Sequence, residues 1–298
     1  MKIKAITLIA AISFIILNSC SVDDNKSDAY GNFEATELIV SAQANGELLL
    51  FDLEQGDMIE KNKIVGLIDT TDLALKKKLL SQQKLTISSQ LSSIDSEMEV
   101  VKQQLANNRT NQKRIKKLFA KGAATQKQLD DINGLVDLNV AQIRAVQSKK
   151  QSISDQMTGI DVQVEQVNEI INKSLIKNPV TGTILLKYAE QGELAGLGKP
   201  LYKLADLSRM KLKAYISGDQ LAQIEIGQEV AVLYDKNAKE NNSIQGKVIW
   251  ISPSAEFTPK TIQTKEERVN LVYAIKVLVP NNGEIKIGMP GEFNFEKK

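Results

Sequence analysis

The 298 residues contain no histidine and a single cysteine, Cys20. The first absence excludes imidazole acid–base chemistry, catalytic triads and histidine-ligated zinc. The second excludes a disulfide within one chain. No GxxxxGK segment is present to cradle ATP phosphates. Tryptophan occurs once, at Trp250, and the net charge is only +2. No basic patch is interleaved with aromatics, so nothing points to nucleic acid. The carboxylates are scattered along helical flanks, as solvated charges are. The chain therefore reads as a protein that is not an enzyme.

Proline is missing throughout Leu73–Ser174, and there the hydrophobic period is 3.5 residues. Leu73, Leu80, Ile87, Ile94, Val101, Asn108 and Ile115 form one heptad series, interleaved with Leu91, Met98, Leu105, Gln112 and Phe119. Leu129, Val136, Ile143, Lys150, Met157, Val164 and Ile171 form another, interleaved with Ile132, Asn139, Val146, Ile153, Ile160 and Val167. A period held this long predicts a supercoiled seam. The break at Ala120–Ala124 is punctuated. Gly122 suits the left-handed position that ends a helix, and Thr125 with Gln128 has the form of a capping box. Two antiparallel arms of about 70 Å follow from the helical rise. The seam residues hold the arms together, so function falls to the flanks, the tip or the segments that bracket the hairpin.

At the start, Lys2 and Lys4 precede the apolar run Ala5–Leu17, which is too short to span a bilayer as a helix. The run ends in Leu17-Asn18-Ser19-Cys20, which resembles a bacterial lipobox, in which the cysteine is acylated. Two acyl chains anchor stably where one does not. The resemblance implies residues 1–20 as a lipoprotein signal peptide and a mature chain in the periplasm, lipid-anchored, more readily to the inner membrane. Residues 21–38 read as a polar tether and a first strand.

The hairpin is bracketed by an internal repeat. Val40–Asp69 aligns with Ile176–Ala205 without a gap at an offset of 136 residues. Gly46 falls on Gly182, Gly56 on Gly192, and Asn62 on Gly198, while apolar residues alternate between these turn formers. Shared turns imply shared backbone paths. One copy is too small to be stable alone, and two facing copies would close a sandwich.

Two half-motifs split by a helical hairpin resemble the HlyD-type membrane fusion proteins, the periplasmic adaptor subunits of efflux and secretion systems. The phrases that carry the resemblance are Gly31–Ala35, Val40-Ser41-Ala42, Gly56-Asp57, Asn178–Ile184, Gly192-Glu193 and Pro200-Leu201-Tyr202. Asn62 and Asn178 depart from it, standing where glycine and alanine are usual. The resemblance implies an α+β, elongated, multi-domain fold. A long antiparallel coiled-coil hairpin (73–174, tip 119–125) is inserted between two halves of a lipoyl-like β-sandwich (39–72 and 175–207). A small β-barrel (208–280) and membrane-proximal strands (281–298) that pair with Gly31–Ile39 follow. Asn281-Asn282-Gly283 reads as a hairpin turn. Carrier domains of this fold bear a cofactor on a lysine at a hairpin corner; Asp69–Asp72 has none, so no cofactor is expected.

Arg114, Leu118 and Thr125 resemble the adaptor tip motif that docks on a TolC-like outer-membrane channel. Arg114 and Leu118 lie one turn apart on one helical flank. Their other reading is structural: Leu118 covering the seam end with Phe119, Arg114 solvated, Thr125 capping. Phe257–Thr261 and Arg268–Tyr273 resemble the branch serving ABC-type exporters. The implied partners are an inner-membrane exporter with ABC permease and ATPase, a TolC-like channel, and further copies of the chain, commonly six. A cell-envelope spacer lipoprotein using the same coil is the alternative.

Overall fold

The computed structural model describes residues 27–237, 240–257 and 271–295. They divide into two compact units: Ile39–Val180 with Ile184–Lys203, and a second comprising residues 27–38, 181–183 and 204–295. Among the described residues no helix is long and apolar enough to cross a membrane.

The hairpin consists of α1 (Thr71–Phe119) and α2 (Gln126–Ser174), 49 residues each. Every residue of the four heptad series is buried or half-buried except Phe119, which is 38% exposed. The polar start of α2, Gln126–Gln128, lies at the level of Phe119, so no apolar layer faces it. The seam therefore ends at Ile115 and Leu129. Its polar interruptions are satisfied. Asn108 Nδ2 donates to Asn139 Oδ1 at 2.7 Å, and Gln112 Nε2 to Asn133 Oδ1 at 2.8 Å. Lys150, beside the seam, pairs with Asp95 on α1. Partnered polar groups at defined levels disfavour sliding, because a shift would bury them unpaired.

The two copies of the repeat build two four-stranded sheets. The first copy supplies β2 (Glu37–Ser41), β3 (Gly46–Phe51), β4 (Met58–Ile59) and β5 (Ile64–Ile68). The second supplies β6 (Leu175–Lys177), β7 (Gly182–Lys187), β8 (Leu194–Ala195) and β9 (Pro200–Ala205). The sheet orders are β2-β9-β7-β4 and β6-β5-β3-β8. Adding 136 residues to each first-copy strand turns one order into the other, so the copies are exchanged across the sandwich.

Backbone hydrogen bonds show the same exchange. Gly56 N–H donates to Ile184 O at 2.9 Å, and Gly192 N–H to Leu48 O at 2.8 Å. Ile184 N–H reaches Asp57 O and Leu48 N–H reaches Glu193 O, both at 2.9 Å. Asn62 N–H donates to Asn178 O at 2.7 Å, and Gly198 N–H to Ala42 O at 2.9 Å. Each copy satisfies the turns of the other. The copies differ in side chains where a buried polar pair stands in the second alone. Ala42 and Gly66 in the first copy correspond to Asn178 and Tyr202 in the second, and these two are fully buried and hydrogen-bonded at 3.1 Å.

The second unit is a closed antiparallel barrel. Its staves are β1 (Ala29–Glu34), β10 (Arg209–Ser217), β11 (Glu229–Asp235), β12 (Asn241–Ile251), β14 (Leu271–Pro280) and β15 (Pro290–Asn294). The order is β10-β1-β15-β11-β12-β14, and β14 pairs back to β10. A short β13 (Glu256–Phe257) extends from β14. Alternation on β10 turns Met210, Leu212, Ala214 and Ile216 inward, onto Phe33, Val232, Val277 and Phe293. β1 and β15 do pair, but not as a membrane-proximal domain of their own. They complete the barrel, because Phe33 and Phe293 belong to its core. Asn281–Gly283 is not a hairpin turn, since β14 and β15 are not neighbours. The Asn281 side chain accepts from Gly283 N–H and Ile285 N–H and donates to Leu207 O, which bends the chain away from β14.

Candidate functional site at the hairpin tip

The tip is two capping motifs joined by a single residue, Ala124. At the end of α1, Ala123 N–H donates to Leu118 O and Gly122 N–H to Phe119 O, both at 2.9 Å. Gly122 has φ 74°, and the pattern is a Schellman closure, which needs a left-handed residue at that point. At the start of α2, Thr125 Oγ1 accepts from Gln128 N–H at 3.2 Å, and Gln128 Oε1 accepts from Thr125 N–H at 2.9 Å. Both helix ends are thus satisfied locally, and the loop geometry depends on no partner.

Leu118 stands on the last turn of α1 and is 38% exposed. Burying the rest of a leucine side chain against a partner is worth roughly 1 kcal/mol. Arg114 is exposed, and its Nη2 donates to Asn111 Oδ1 at 2.8 Å. That bond orients the guanidinium along the flank and leaves most of its donors open. Thr125 uses an acceptor lone pair for the cap, and its O–H proton is uncommitted. The three side chains share the tip, one on either side of the closure and one a turn below.

Among the other site residues expected from the sequence, Cys20 lies outside the described residues. So does most of the segment read as the ABC-exporter signature, Thr258–Asn270. Gly56 and Gly192 have φ 96° and 86°, and Gly198 has φ 83° opposite Asn62 at 67°. Gly46 and Gly182 are required for close approach. A Cβ on Gly46 would meet Asp69 O at 3.1 Å, and one on Gly182 would meet Ala205 O at 2.7 Å. Asp69 and Ala205 are themselves repeat mates.

No family model matches the chain. A UPF0194 membrane protein of Citrobacter koseri is 24% identical over 92% of this chain and 90% of its own length. The UPF0194 membrane protein YbhG of Salmonella gallinarum is also 24% identical, over 97% and 96%. Among solved structures, MacA from Actinobacillus actinomycetemcomitans superposes with a TM-score of 0.65 at 18% identity, covering 90% of this chain and 78% of that one. The membrane fusion protein Spr0693 from Streptococcus pneumoniae R6 gives 0.53 at 14%, covering 90% and 98%. This is the membrane fusion protein fold. Within it the split sandwich carries the hairpin as an insertion between repeat mates.

One feature of the tip escapes a motif-based reading. From Val100 to Leu129 there are eight basic residues and no acidic one, and from Asp130 to Ile143 three aspartates and no base. The basic block runs along α1 and round the tip to Lys127, and the aspartates follow it on α2.

Proposed function

We propose that this chain is a periplasmic adaptor lipoprotein that links an inner-membrane exporter of ABC type to a TolC-like outer-membrane channel. Acyl chains on Cys20 hold its base at the inner membrane. Copies assemble into a ring of six, and the tips of the hairpins dock on the channel. The chain does no chemistry on the cargo; its contribution is reach and position. The observation that carries the reading is an exposed Leu118 beside Arg114 on a self-capped tip, at the end of a rod of about 70 Å.

Three substitutions test it: Leu118→Ala, Arg114→Ala and Thr125→Ser, assayed for export in a strain lacking the native gene. The first two are expected to lower export at least tenfold at unchanged protein level, and Thr125→Ser to retain it, because serine caps as well. Export unchanged in both alanine variants would refute docking through these residues and favour the spacer reading. Intact mass of the membrane-extracted protein tests the anchor: acylated Cys20 is expected at the mature N-terminus.

A further inference from the structure

The chain contains three Asn-Gly dipeptides, at Asn45-Gly46, Asn133-Gly134 and Asn282-Gly283. Glycine has no side chain to shield its amide nitrogen, which can therefore attack the side-chain carbonyl carbon of the asparagine before it. The first and the third sit in the same tripeptide, since Glu47 and Glu284 follow them. What separates the three is how the fold holds each side chain.

Asn133 lies inside α2, and its Oδ1 accepts from Gln112 on the opposite arm. The helix commits the Gly134 amide to its own ladder, away from that side chain. Asn45 Oδ1 accepts from Leu197 N–H at 2.8 Å, and Gly46 is a strand residue paired with Ala195. Both side chains are drawn to a distant segment.

Asn282 is tied only to its own turn. Its Oδ1 accepts from Glu284 N–H, and its Nδ2 donates to Glu284 Oε1, both at 3.3 Å. A side chain bonded to the residue two further on is folded back over the peptide between them. That turns Asn282 Cγ toward the Gly283 nitrogen, the approach the reaction needs. The Glu284 amide faces the oxygen on which charge develops. Asn281 Oδ1 accepts from Gly283 N–H at 3.0 Å, which polarises the attacking nitrogen. Asn282 and Gly283 are both exposed to solvent.

We propose that Asn282 is a self-modifying site, deamidated in the folded chain by the amide of Gly283. The Gly283 nitrogen bonds to Asn282 Cγ, the Cγ–Nδ2 bond breaks, and ammonia leaves with the proton that the nitrogen gives up. Water then opens the cyclic imide at either carbonyl, leaving aspartate or isoaspartate. The product disturbs the barrel. A carboxylate replaces the Nδ2 donor against Glu284 Oε1, while Glu284 Oε2 is the acceptor of the Tyr234 hydroxyl at 2.7 Å. Tyr234 stands on β11, and Glu284 lies in the connection that leads into β15. Like charges this close repel, so Glu284 is pushed off its brace. β15, held between β1 and β11, is then loosened. The age of a chain is thereby written into the stability of its barrel.

The test incubates the full chain in warm, mildly alkaline buffer and follows each Asn-Gly site by peptide mass. Asn282 is expected to react at least roughly tenfold faster than Asn45 or Asn133. In the urea-unfolded chain the two Asn-Gly-Glu sites should converge, because their local sequence is the same. Equal rates in the folded chain, or a lead of Asn282 that persists after unfolding, would overturn the proposal. Gly283→Ala should slow the reaction at Asn282 roughly tenfold, since the methyl shields the nitrogen and φ 102° disfavours alanine. No atom lies within 4 Å of the added Cβ, so the barrel has room for it. An unchanged rate in that variant would also overturn the proposal. Asn282→Asp imitates one product, and its β15 amides should exchange roughly tenfold faster than those of the native chain. Unchanged exchange there would overturn the loosening of the barrel.

Discussion

Replacing Asn178 by alanine isolates a buried polar contact that the duplicated sandwich does not share between its halves. Its Nδ2 donates to Ile59 O and Glu60 O at 3.1 Å and to Val180 O at 2.6 Å, while its Oδ1 accepts from the Tyr202 hydroxyl. Both residues are fully buried, and burial drives the Tyr202 phenol far above its ordinary pKa, so it stays a neutral donor. Asn178→Ala removes these bonds at once and orphans the phenol O–H. An unsatisfied buried polar group costs about 1–3 kcal/mol, so the variant should lose roughly 2–4 kcal/mol once the carbonyls are included. Tyr202→Phe should lose about 1–2 kcal/mol, since Phe51 still packs on the ring. The double variant is decisive. With the phenol gone, Asn178→Ala no longer orphans it, and the double should cost about 1 kcal/mol less than the sum of the singles. Trp250 belongs to the barrel strand β12 and not to the sandwich. Hydrogen exchange at the Asn62 and Asn178 amides, combined with calorimetry, reads it directly. Strict additivity, or an Asn178→Ala cost below about 0.5 kcal/mol, would refute the argument that orphaned buried groups dominate here.

Gly182→Ala should destabilise the sandwich by about 1–3 kcal/mol, because its Cβ would press on a backbone carbonyl at 2.7 Å that only a strand shift can relieve. Gly134→Ala, on the open surface of α2, should leave the melting temperature unchanged or raise it; equal losses from the two would refute the steric account. Acid should act at the exits of the two repeat copies. Hydrogen bonds from the Thr71 hydroxyl and amide hold Asp69 below the usual carboxylate range, and those from Ser208 do the same for Asp206. A lowered folded pKa means that their contribution is present above about pH 4 and is lost as the pH falls through the folded values. Thermal melts of Asp69→Asn with Asp206→Asn should show a shallower decline below about pH 4 than the native chain; an unchanged slope would exclude these two carboxylates.

Periodicity made the hairpin readable because a heptad pattern is a local property of the chain. Thr125 and Gln128 form their capping box, and the arms break where Gly122 stands. Phe119 was misplaced because the pattern continues arithmetically past the level at which the opposite arm begins. The repeat was readable because glycines at turns leave a fixed offset, even at Gly46 and Gly182, where the requirement is space. The small barrel, and the pairing of Gly31–Ile39 with the last strands, were expected from the family resemblance; that these strands are staves of the barrel itself was not, because the pairing of β1 with β15 joins residues some 260 apart and nothing in either strand encodes it. At the tip, the side chains carry a local motif, whereas which residues of the two arms stand level appears only once Asn108 and Asn139 set the register.

The reciprocal bonds of the sandwich impose an order on its making. Gly56 and Asn62 find their acceptors only on Ile184 and Asn178, so a chain growing from its N-terminus must carry its first half unfinished for well over a hundred residues. The intervening helices shorten that wait in space, though not in time. As they zip together from the tip, they draw the late half back to the early one, and a long-range closure is reduced to the last step of a local one.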